Sequence, residues 1–438
     1  MSMTLSLSAD TPSTNFKDHI TLTRSRTAVT DGSGETMNAR EWLDDLRFAG
    51  MRLGLERAEE LLERLGNPQL EFPSIHVAGS NGKGSLCVQL SANAAASGLC
   101  VGLFTTPHLV MVEERIRVDG RPIDSADFDR HVEAIKAAAN EGDLLEPTFY
   151  EVTFIAAMLH FAEAGIERAI IETGLGGRGD ATCLVDADLC IITTISLDHT
   201  EVLGETLSEI AREKAGIYRP GVPLIALESD DPEVAAIISE IAGDDFYIHQ
   251  KDPYESPWET WRELSIMVSL LMNWGPNQAE CRWPGRSPGW KPTNMQYDVK
   301  FSAAHNDEGF DAELSRIEEP CVFLIGMSQK DDILQATSSL ASELYHSPTF
   351  RHIVVSKPTS GRLPAIEPAE LADTICSNRL DPPLLIDNPI QAFEWAQIMA
   401  RQAGVQLVVM GSIYLIGDIL KHWCENNGLD LRDELSVH

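Results

Sequence analysis

A glycine-rich turn between an apolar run and a helical pattern is the part of this sequence with the clearest chemistry. Residues 79–85 carry three glycines, Lys83 and Ser85, and apolar residues then recur at helical spacing. A strand–turn–helix of this kind presents backbone N–H groups to phosphates, with the lysine on the outer phosphates and the serine on Mg²⁺. The turn departs from the common phosphate-loop pattern, because Val77 replaces the first glycine and Gly84 separates the lysine from the serine. We therefore predict a nucleotide phosphate site at residues 79–85.

The composition argues against several partners. The 438 residues carry a net charge of −33, from 34 basic and 67 acidic side chains, which disfavours nucleic acid and anionic membrane surfaces. No apolar run approaches the ~18 residues that span a bilayer. Residues 1–36 are rich in Ser, Thr and Asp and lack the apolar core of a secretory signal, so we predict a disordered tail. The eight cysteines form no CxxC pair, which indicates free thiols in a reducing compartment. We expect a cytoplasmic location and leave a mitochondrial one open.

Apolar runs of strand length alternate with helical patterns along most of the chain. This alternation predicts a mostly parallel sheet with helices on both faces. Residues 283–292 hold three prolines and two glycines, so we place a domain boundary there. The first cycle has predicted strands near 101–104, 169–172, 189–195 and 224–227, and predicted helices near 55–65, 125–140 and 150–163. The second cycle has predicted strands near 297–301, 322–325, 352–356, 384–386 and 405–410.

Nine stretches of the sequence match, in order, the motifs of one family. They are residues 76–85, 106–109, 114–116, 172–182, 195–199, 213–217, 283–286, 304–306 and 411–415. Together they resemble the folylpolyglutamate synthase and dihydrofolate synthase family, a branch of the Mur ligases. The amino-acid sequence of residues 105–110 and 195–199 is most similar to that of the fungal dihydrofolate synthases.

The resemblance implies an α/β fold of two domains. A P-loop ATPase domain with a mostly parallel sheet would precede a smaller Rossmann-like C-terminal α/β domain, with the active site in the cleft. On this basis residues 37–286 form the ATP-binding domain, shortened near 245–283. Residues 287–296 would be a linker, and residues 297–438 the C-terminal ligase domain.

The reaction implied by the resemblance is ATP-dependent amide formation. A carboxylate attacks the γ-phosphate to give an acyl phosphate, and an amino group then displaces phosphate. The implied small-molecule substrates are ATP, a pterin-type acid and L-glutamate, with Mg²⁺ as cofactor and a monomer as the acting species. Our first interpretation takes dihydropteroate as the acid and dihydrofolate as the product. The alternatives are a folylpolyglutamate synthase, a divergent paralogue that couples an amino acid to another carboxylic acid in a specialised pathway, and a non-catalytic nucleotide-binding homologue.

The resemblance also implies roles for individual residues. The catalytic residues would be Lys83, Lys214 and His199, and Lys214 would carry a carbamate able to bind a second Mg²⁺. The metal ligands would be Ser85, Glu151 and His199. The nucleotide-binding residues would be Gly79, Ser80, Asn81, Gly82, Lys83, Gly84, Ser85, Arg286, Ser302 and His305. The substrate-binding residues would be Thr106, Pro107, His108, Arg115, Arg178 and Asp180.

Three departures from the family pattern cluster on the adenine and ribose side of the implied site. Ser302 stands where the family has an aspartate, two residues before Ala304 and three before His305. Residues 257–266 read as a helix without the glutamine and asparagine that the family carries there. Ser287 follows the Trp-Pro-Gly-Arg stretch in place of the family's usual Leu-Glu. The phosphate, metal and carbamate positions are intact.

Overall fold

The structure is a computed structural model whose described residues exclude the N-terminus and several short segments. The described residues are 38–47, 52, 54–252, 255–276, 278–330, 332–347, 349–361, 363–376 and 381–438. The disordered tail predicted for residues 1–36 lies outside them. No helix among the described residues is both long enough and apolar enough to cross a membrane.

The first domain is built on an eight-stranded sheet. In chain order its strands are β1 Ser74–Ala78, β2 Val101–Phe104, β3 Ile116–Val118, β4 Arg121–Pro122, β5 Arg168–Glu172, β6 Ala187–Ile192, β7 Leu224–Leu227 and β8 Phe246–His249. The spatial order is β4-β3-β2-β5-β1-β6-β7-β8. Every pairing is parallel except β2 with β3 and β3 with β4, which form an antiparallel edge.

Helices cover both faces of this sheet, and the alternation of side chains along the central strands explains why. In β1, Ile75 and Val77 pack into one apolar cluster with residues of α3 and α9, whereas Ala78 packs into the cluster on the other face. Strands buried on both faces are near-continuous apolar runs, and all five residues of β1 are buried. The helices are α1 Ala39–Leu46, α2 Glu56–Arg64, α3 Lys83–Ala96, α4 Ser125–Ala139, α5 Phe149–Ala164, α6 Thr200–Leu203, α7 Leu207–Ala215, α8 Pro232–Ala242 and α9 Pro257–Leu271.

A second, smaller α/β domain carries a five-stranded parallel sheet. Its strands are β9 Val299–Phe301, β10 Cys321–Ile325, β11 Phe350–Val355, β12 Leu384–Leu385 and β13 Gln406–Met410, in the spatial order β12-β11-β10-β13-β9. Its helices are α10 Asp307–Leu314, α11 Ile333–Ala336, α12 Ser338–His346, α13 Pro368–Cys376, α14 Pro389–Ala403, α15 Ile413–Asn427 and α16 Leu431–Glu434. The predicted α/β fold class is thus confirmed.

The strands predicted from apolar runs are all present, with ends that differ by a few residues. The strands β3, β4 and β8, which are two to four residues long, were not predicted. The described residues between α9 and β9 form neither helix nor strand. The exact domain boundary in this segment stays a prediction.

Candidate active site

The glycine-rich turn joins β1 to α3 and leaves the first N–H groups of that helix without helical partners. Gly79 has φ +142°, and a Cβ there would lie 1.9 Å from Thr193 Oγ1, so only glycine fits the close approach of the two strands. Gly82 has φ +85° and caps the helix that Lys83 begins. The free N–H groups and the positive end of the helix dipole make this turn suited to anionic phosphate.

Two lysine amines meet at the base of this turn. Lys83 Nζ donates to the carbonyl oxygens of Gly79 at 2.9 Å and Ser80 at 3.1 Å, and Lys214 Nζ donates to that of Gly79 at 2.8 Å. Lys214, in the last turn of α7, is 4% exposed. Burial and then the charge of Lys83 lower the pKa of Lys214 to about 7, against the opposing attraction of Asp198. Lys214 is therefore a largely buried amine that loses its proton near neutral pH.

Glu172 is a buried carboxylate beside the turn that sequence reasoning did not single out. It ends β5, is 4% exposed, and accepts a hydrogen bond from Thr106 N at 2.9 Å. Its Oε2 lies 3.2 Å from where a Cβ of Gly84 would stand, in the first turn of α3. Burial raises the pKa of Glu172, and Lys83 opposes that shift. The available signal was its place at the carboxyl end of a parallel strand, where open α/β sheets hold ligands.

Glu151, the metal carboxylate predicted from the resemblance, already has partners for both oxygens. Its Oε2 accepts from Thr148 N at 2.6 Å, which completes a capping box at the start of α5, and its Oε1 accepts from Arg57 at 3.0 Å. A structural role thus accounts for its burial. Of the other predicted ligands, Ser85 lies in the first turn of α3, and His199 has φ +51° and a half-exposed side chain.

Glu172 is a better candidate ligand for Mg²⁺ than Glu151. Mg²⁺ prefers oxygen ligands and is usually held by one or two carboxylates together with substrate phosphates. Glu172 supplies such an oxygen next to the helix turn that contains Ser85. Among the described residues, no group of three or more His, Cys, Asp or Glu side chains is placed to hold a metal ion.

A cavity of about 1340 Å³ opens between residues of the two domains. Nine of the predicted site residues line it: Thr106, Pro107, His108, Arg115, Glu151, Asp180, His199, Arg286 and His305. The turn, Lys214, Arg178 and Ser302 are not on its wall. The turn contacts the wall directly, because Asn81 Oδ1 accepts from Asn306 Nδ2 at 3.0 Å and Ser80 Oγ accepts from Ser196 N at 3.0 Å.

One end of the cavity combines a buried guanidinium with aromatic rings. Arg115 is 8% exposed, donates through Nε to His108 Nδ1 at 3.0 Å, and lies 5.2 Å from the ring centroid of Phe149. Burial lowers the pKa of Arg115 to about 10, and burial with the charge of Arg115 holds the pKa of His108 well below its usual value. The neutral imidazole can therefore accept from the arginine. Tyr414, from the second domain, packs edge-on against His108.

Two predicted substrate-binding residues, Asp180 and Arg178, already have partners within the protein. The Asp180 carboxylate accepts from Tyr150 Oη, from the backbone N–H of Gly174, Leu175 and Thr182, and from Thr182 Oγ1. These five hydrogen bonds to the Asp180 carboxylate stabilise the glycine-rich loop after β5. The Arg178 side chain is 72% exposed and pairs with Glu213, away from the cavity wall.

The three residues that the resemblance assigns to nucleotide binding on either side of the linker, Arg286, Ser302 and His305, occupy different positions. Ser302 is buried, and its Oγ accepts from Ala304 N at 3.3 Å, so it organises the turn before α10. His305 is on the cavity wall, with Nδ1 2.9 Å from Ala303 O. The Arg286 guanidinium lies 4.7 Å from the ring centroid of Trp283 and also reaches the wall.

An acid–base cluster brings together charged residues of the two domains, and Lys330 is the member that sequence reasoning missed. Burial raises the pKa of Asp198, but the charges of His199, His305 and Lys330 outweigh it and the net shift is downward. Lys330, which follows β10, lines the cavity, and burial lowers its pKa against the attraction of Asp198 and Glu201. The second domain thus contributes a cation to the cavity.

Comparison with known proteins gives relatives of one kind. No family model matches the chain. The dihydrofolate synthetase of Saccharomyces cerevisiae is 28% identical over 429 residues, covering 85% of this chain and 98% of its own length. The dihydrofolate synthase/folylpolyglutamate synthase of Bacillus subtilis is 34% identical over 236 residues, and that of Escherichia coli 38% identical over 202 residues. The match spans 53% of the length of the first bacterial protein and 47% of the second.

Solved structures show the same fold. Escherichia coli FolC in complex with ADP, without folate substrate, superimposes with a TM-score of 0.73 at 25% identity, over 89% of this chain and 98% of that one. The same enzyme in complex with DHPP and ADP gives the same score. The folylpolyglutamate synthase of Mycobacterium tuberculosis, complexed with ADP and AMPPCP, has a TM-score of 0.73 at 24% identity.

Proposed function

Because the chain resembles the dihydrofolate synthases and folylpolyglutamate synthases in sequence and in fold, we propose that it is an ATP-dependent ligase. It joins a pterin-type acid, dihydropteroate, to L-glutamate through an acyl phosphate and yields dihydrofolate. The observation that carries the proposal is the contact between the phosphate turn and a large cavity. Lys83 of the turn lies close to Lys214 and the buried Glu172, and the cavity is lined by cations from both domains.

Phosphoryl transfer to the acid depends on positive charge around the γ-phosphate. The free N–H groups at the start of α3 bind the phosphates, and Lys83 turns from the carbonyls of its own loop towards the outer phosphate oxygens. Electrostatic stabilisation of this kind is usually the largest contribution to such reactions. Ser85 and Glu172, with His199, would hold Mg²⁺, which when bound neutralises phosphate charge.

Lys214 carries a carbamate in this proposal. Carbamate formation needs the neutral amine, and a lysine with a pKa of about 7 is about half neutral at that pH. The nitrogen of the neutral amine forms a bond to the carbon of CO₂ and releases one proton, which gives an anion. Starting from the protonated lysine, two protons are released in all, so the charge at this position changes from positive to negative. The new carboxylate-like group would lie beside Gly79 and Lys83, where a second metal ion or the lysine could pair with it.

The acid and the amino acid bind at different parts of the cavity wall in this proposal. The arginine and aromatic rings at one end of the cavity, Arg115, Phe149 and Tyr414, suit a planar heterocycle with hydrogen-bond acceptors. The cation of Lys330 suits a carboxylate of glutamate on the second domain. Because one chain supplies both walls, we propose that the protein acts as a monomer.

A folylpolyglutamate synthase activity is the second candidate. The Bacillus subtilis and Escherichia coli relatives are named for both activities, whereas the yeast relative, which matches over most of the chain, is named for dihydrofolate synthesis alone. The yeast match favours dihydropteroate as the preferred acid.

ADP release tests the proposal and separates the candidates. The protein is supplied with ATP, Mg²⁺, L-glutamate and, in turn, dihydropteroate, dihydrofolate or an unrelated aromatic acid. We expect release with dihydropteroate, weaker or no release with dihydrofolate, and release lowered about 10²–10³-fold with either acid in Lys83→Ala. Release with an unrelated acid alone would identify a divergent paralogue, and no release with any acid would contradict the ligase assignment.

A further inference from the structure

The indole of Trp261, on α9, lies directly against Gly82 of the glycine-rich turn. A Cβ at Gly82 would lie 2.2 Å from Trp261 Cζ2, 2.3 Å from Cε2 and 2.7 Å from Nε1. The edge of the indole that carries its N–H therefore faces the residue that caps α3. Trp261 is 4% exposed and packs among Val77 and Leu86, so its position is set by the core on both sides of the turn.

Hydrogen bonds between α9 and α3 fix this placement. Gln89 Nε2 donates to the carbonyl of Trp258 at 3.3 Å, and Asn93 Nδ2 donates to Ser265 Oγ at 3.2 Å. These contacts bracket Trp261 by one helical turn on either side. The helix starts just before them, because Ser256 caps it and Pro257 occupies its first position. These hydrogen bonds hold α9 against α3 and so place Trp261 beside Gly82.

The indole N–H is available to a ligand. Trp261 Nε1 forms no hydrogen bond with any described residue, and it is not among the fully enclosed nitrogens without a partner, which include those of Trp283 and Trp290. An indole nitrogen is a donor only. The groups that accept hydrogen bonds at this turn when nucleotide binds are phosphate oxygens, since the neighbouring backbone N–H groups point towards them.

We propose that Trp261 is a nucleotide-positioning residue, which holds Gly82 in place and donates its N–H to a phosphate oxygen of bound ATP. The inference rests on the proposed function, because it requires nucleotide phosphate at this turn. It also gives a role to α9 in this chain, where residues 257–266 lack the glutamine and asparagine of the family pattern. A hydrogen bond to a charged group is stronger than one between neutral groups, so its loss should weaken ATP binding about 10-fold or more.

Calorimetric titration of Mg²⁺-ATP into three variants tests the proposal. Trp261→Phe keeps the aromatic ring and removes the N–H, Trp261→His restores a ring N–H, and Trp258→Phe is the matched control one turn earlier on α9. We expect Trp261→Phe to bind about 10-fold more weakly, Trp261→His to recover part of the loss, and Trp258→Phe to bind as the wild type does. Unchanged affinity in Trp261→Phe, or equal weakening in Trp261→Phe and Trp261→His, would overturn the proposal.

A substitution-free measurement covers the case in which Trp261→Phe does not fold. The wild-type chain has eight tryptophans, and ¹⁵N labelling of their indoles gives one N–H signal for each. We expect at least one signal to shift when ATP is added, and no shift in any of them would overturn the proposal. The test is independent of ligation, because ATP binding without ADP release from any acid would contradict the proposed function alone.

Discussion

Lys83 and Lys214 donate to the same backbone oxygen, that of Gly79, at 2.9 Å and 2.8 Å. Two cations this close repel each other, and the charge of Lys83 is one of the causes that lower the pKa of Lys214 to about 7, after burial. The shared carbonyl therefore brings Lys83, which we expect to bind phosphate, close to Lys214, which we expect to react with CO₂. The first two predictions test these two roles separately.

Replacing Lys83 should abolish most of the activity and leave the fold intact. Lys83→Ala removes one cation from the transferring phosphoryl group, which we expect to lower kcat by about 10²–10³-fold. Steady-state ADP release measures the loss, and thermal unfolding checks the fold. Turnover close to that of the wild type would exclude this turn from catalysis.

Lys214 should make the stability of the protein depend on pH in a defined direction. Its pKa is about 7 when folded and about 10.4 when unfolded. Between these values the unfolded chain binds the proton and the folded chain does not, so stability rises with pH across that window. Lys214→Met should lose this slope, and its stability advantage should shrink as the pH rises, by up to about 1.4 kcal/mol per pH unit.

Denaturant unfolding of both proteins at several pH values in this window, without added bicarbonate, measures the difference. A difference that stays constant with pH would mean that Lys214 keeps its charge when buried. With ¹³C-labelled bicarbonate present, the wild type should show a carbamate signal that Lys214→Met lacks.

Replacing each of the buried glutamates Glu172 and Glu151 by glutamine should change a different property of the protein. Glu172→Gln should raise the Mg²⁺ concentration needed for half-maximal activity, because a neutral amide is a poorer ligand than a carboxylate. Glu151→Gln should leave that concentration unchanged and lower stability by about 1 kcal/mol, since it weakens the capping box and the pairing with Arg57. Mg²⁺ titration of activity and thermal unfolding decide between them. A raised Mg²⁺ requirement in Glu151→Gln alone would restore Glu151 as the metal ligand.

Ser302→Asp should strengthen ATP binding. Ser302 is buried, its Oγ accepts from Ala304 N, and a carboxylate there could keep that bond and add a charged acceptor for the nucleotide. Hydrogen bonds to charged groups contribute about 1.5–3 kcal/mol, against about 0.5–1.5 kcal/mol for neutral ones. Calorimetry of ATP binding compares the variant with the wild type and with Ser302→Ala as control. Equal or weaker binding by Ser302→Asp would show that the site is built around the serine.

The sequence predicted the architecture well, because its central strands are continuous apolar runs that only burial on both faces explains. The turn at residues 79–85 was also recognisable, since its glycines, lysine and serine follow a strand directly. The strands β3, β4 and β8 were missed because they lack the buried apolar run of the central strands: Arg117 and Arg121 interrupt β3 and β4, and β8 is only partly buried.

The role of each buried polar side chain was harder to predict, because it depends on partners far away in sequence. Glu151 and Glu172 are both buried acids near a strand or helix end, but only the first has Arg57 and Thr148 as partners. Asp180 was predicted as a substrate contact from its motif, but it accepts five hydrogen bonds, one from Tyr150 of α5 and four from the segment after β5. Trp261 gave no signal at all, since only the packing of α9 on α3 brings it to Gly82.

The central claim is that the acid is activated by phosphate before the amine attacks, and oxygen transfer tests it directly. If dihydropteroate carries ¹⁸O in its carboxylate, attack on the γ-phosphate leaves one labelled oxygen bridging the acyl phosphate. Attack by glutamate then breaks the acyl C–O bond, and the label departs with phosphate. Mass spectrometry of the released phosphate should find one ¹⁸O per molecule of ADP formed. Unlabelled phosphate, formed together with ADP, would contradict the account.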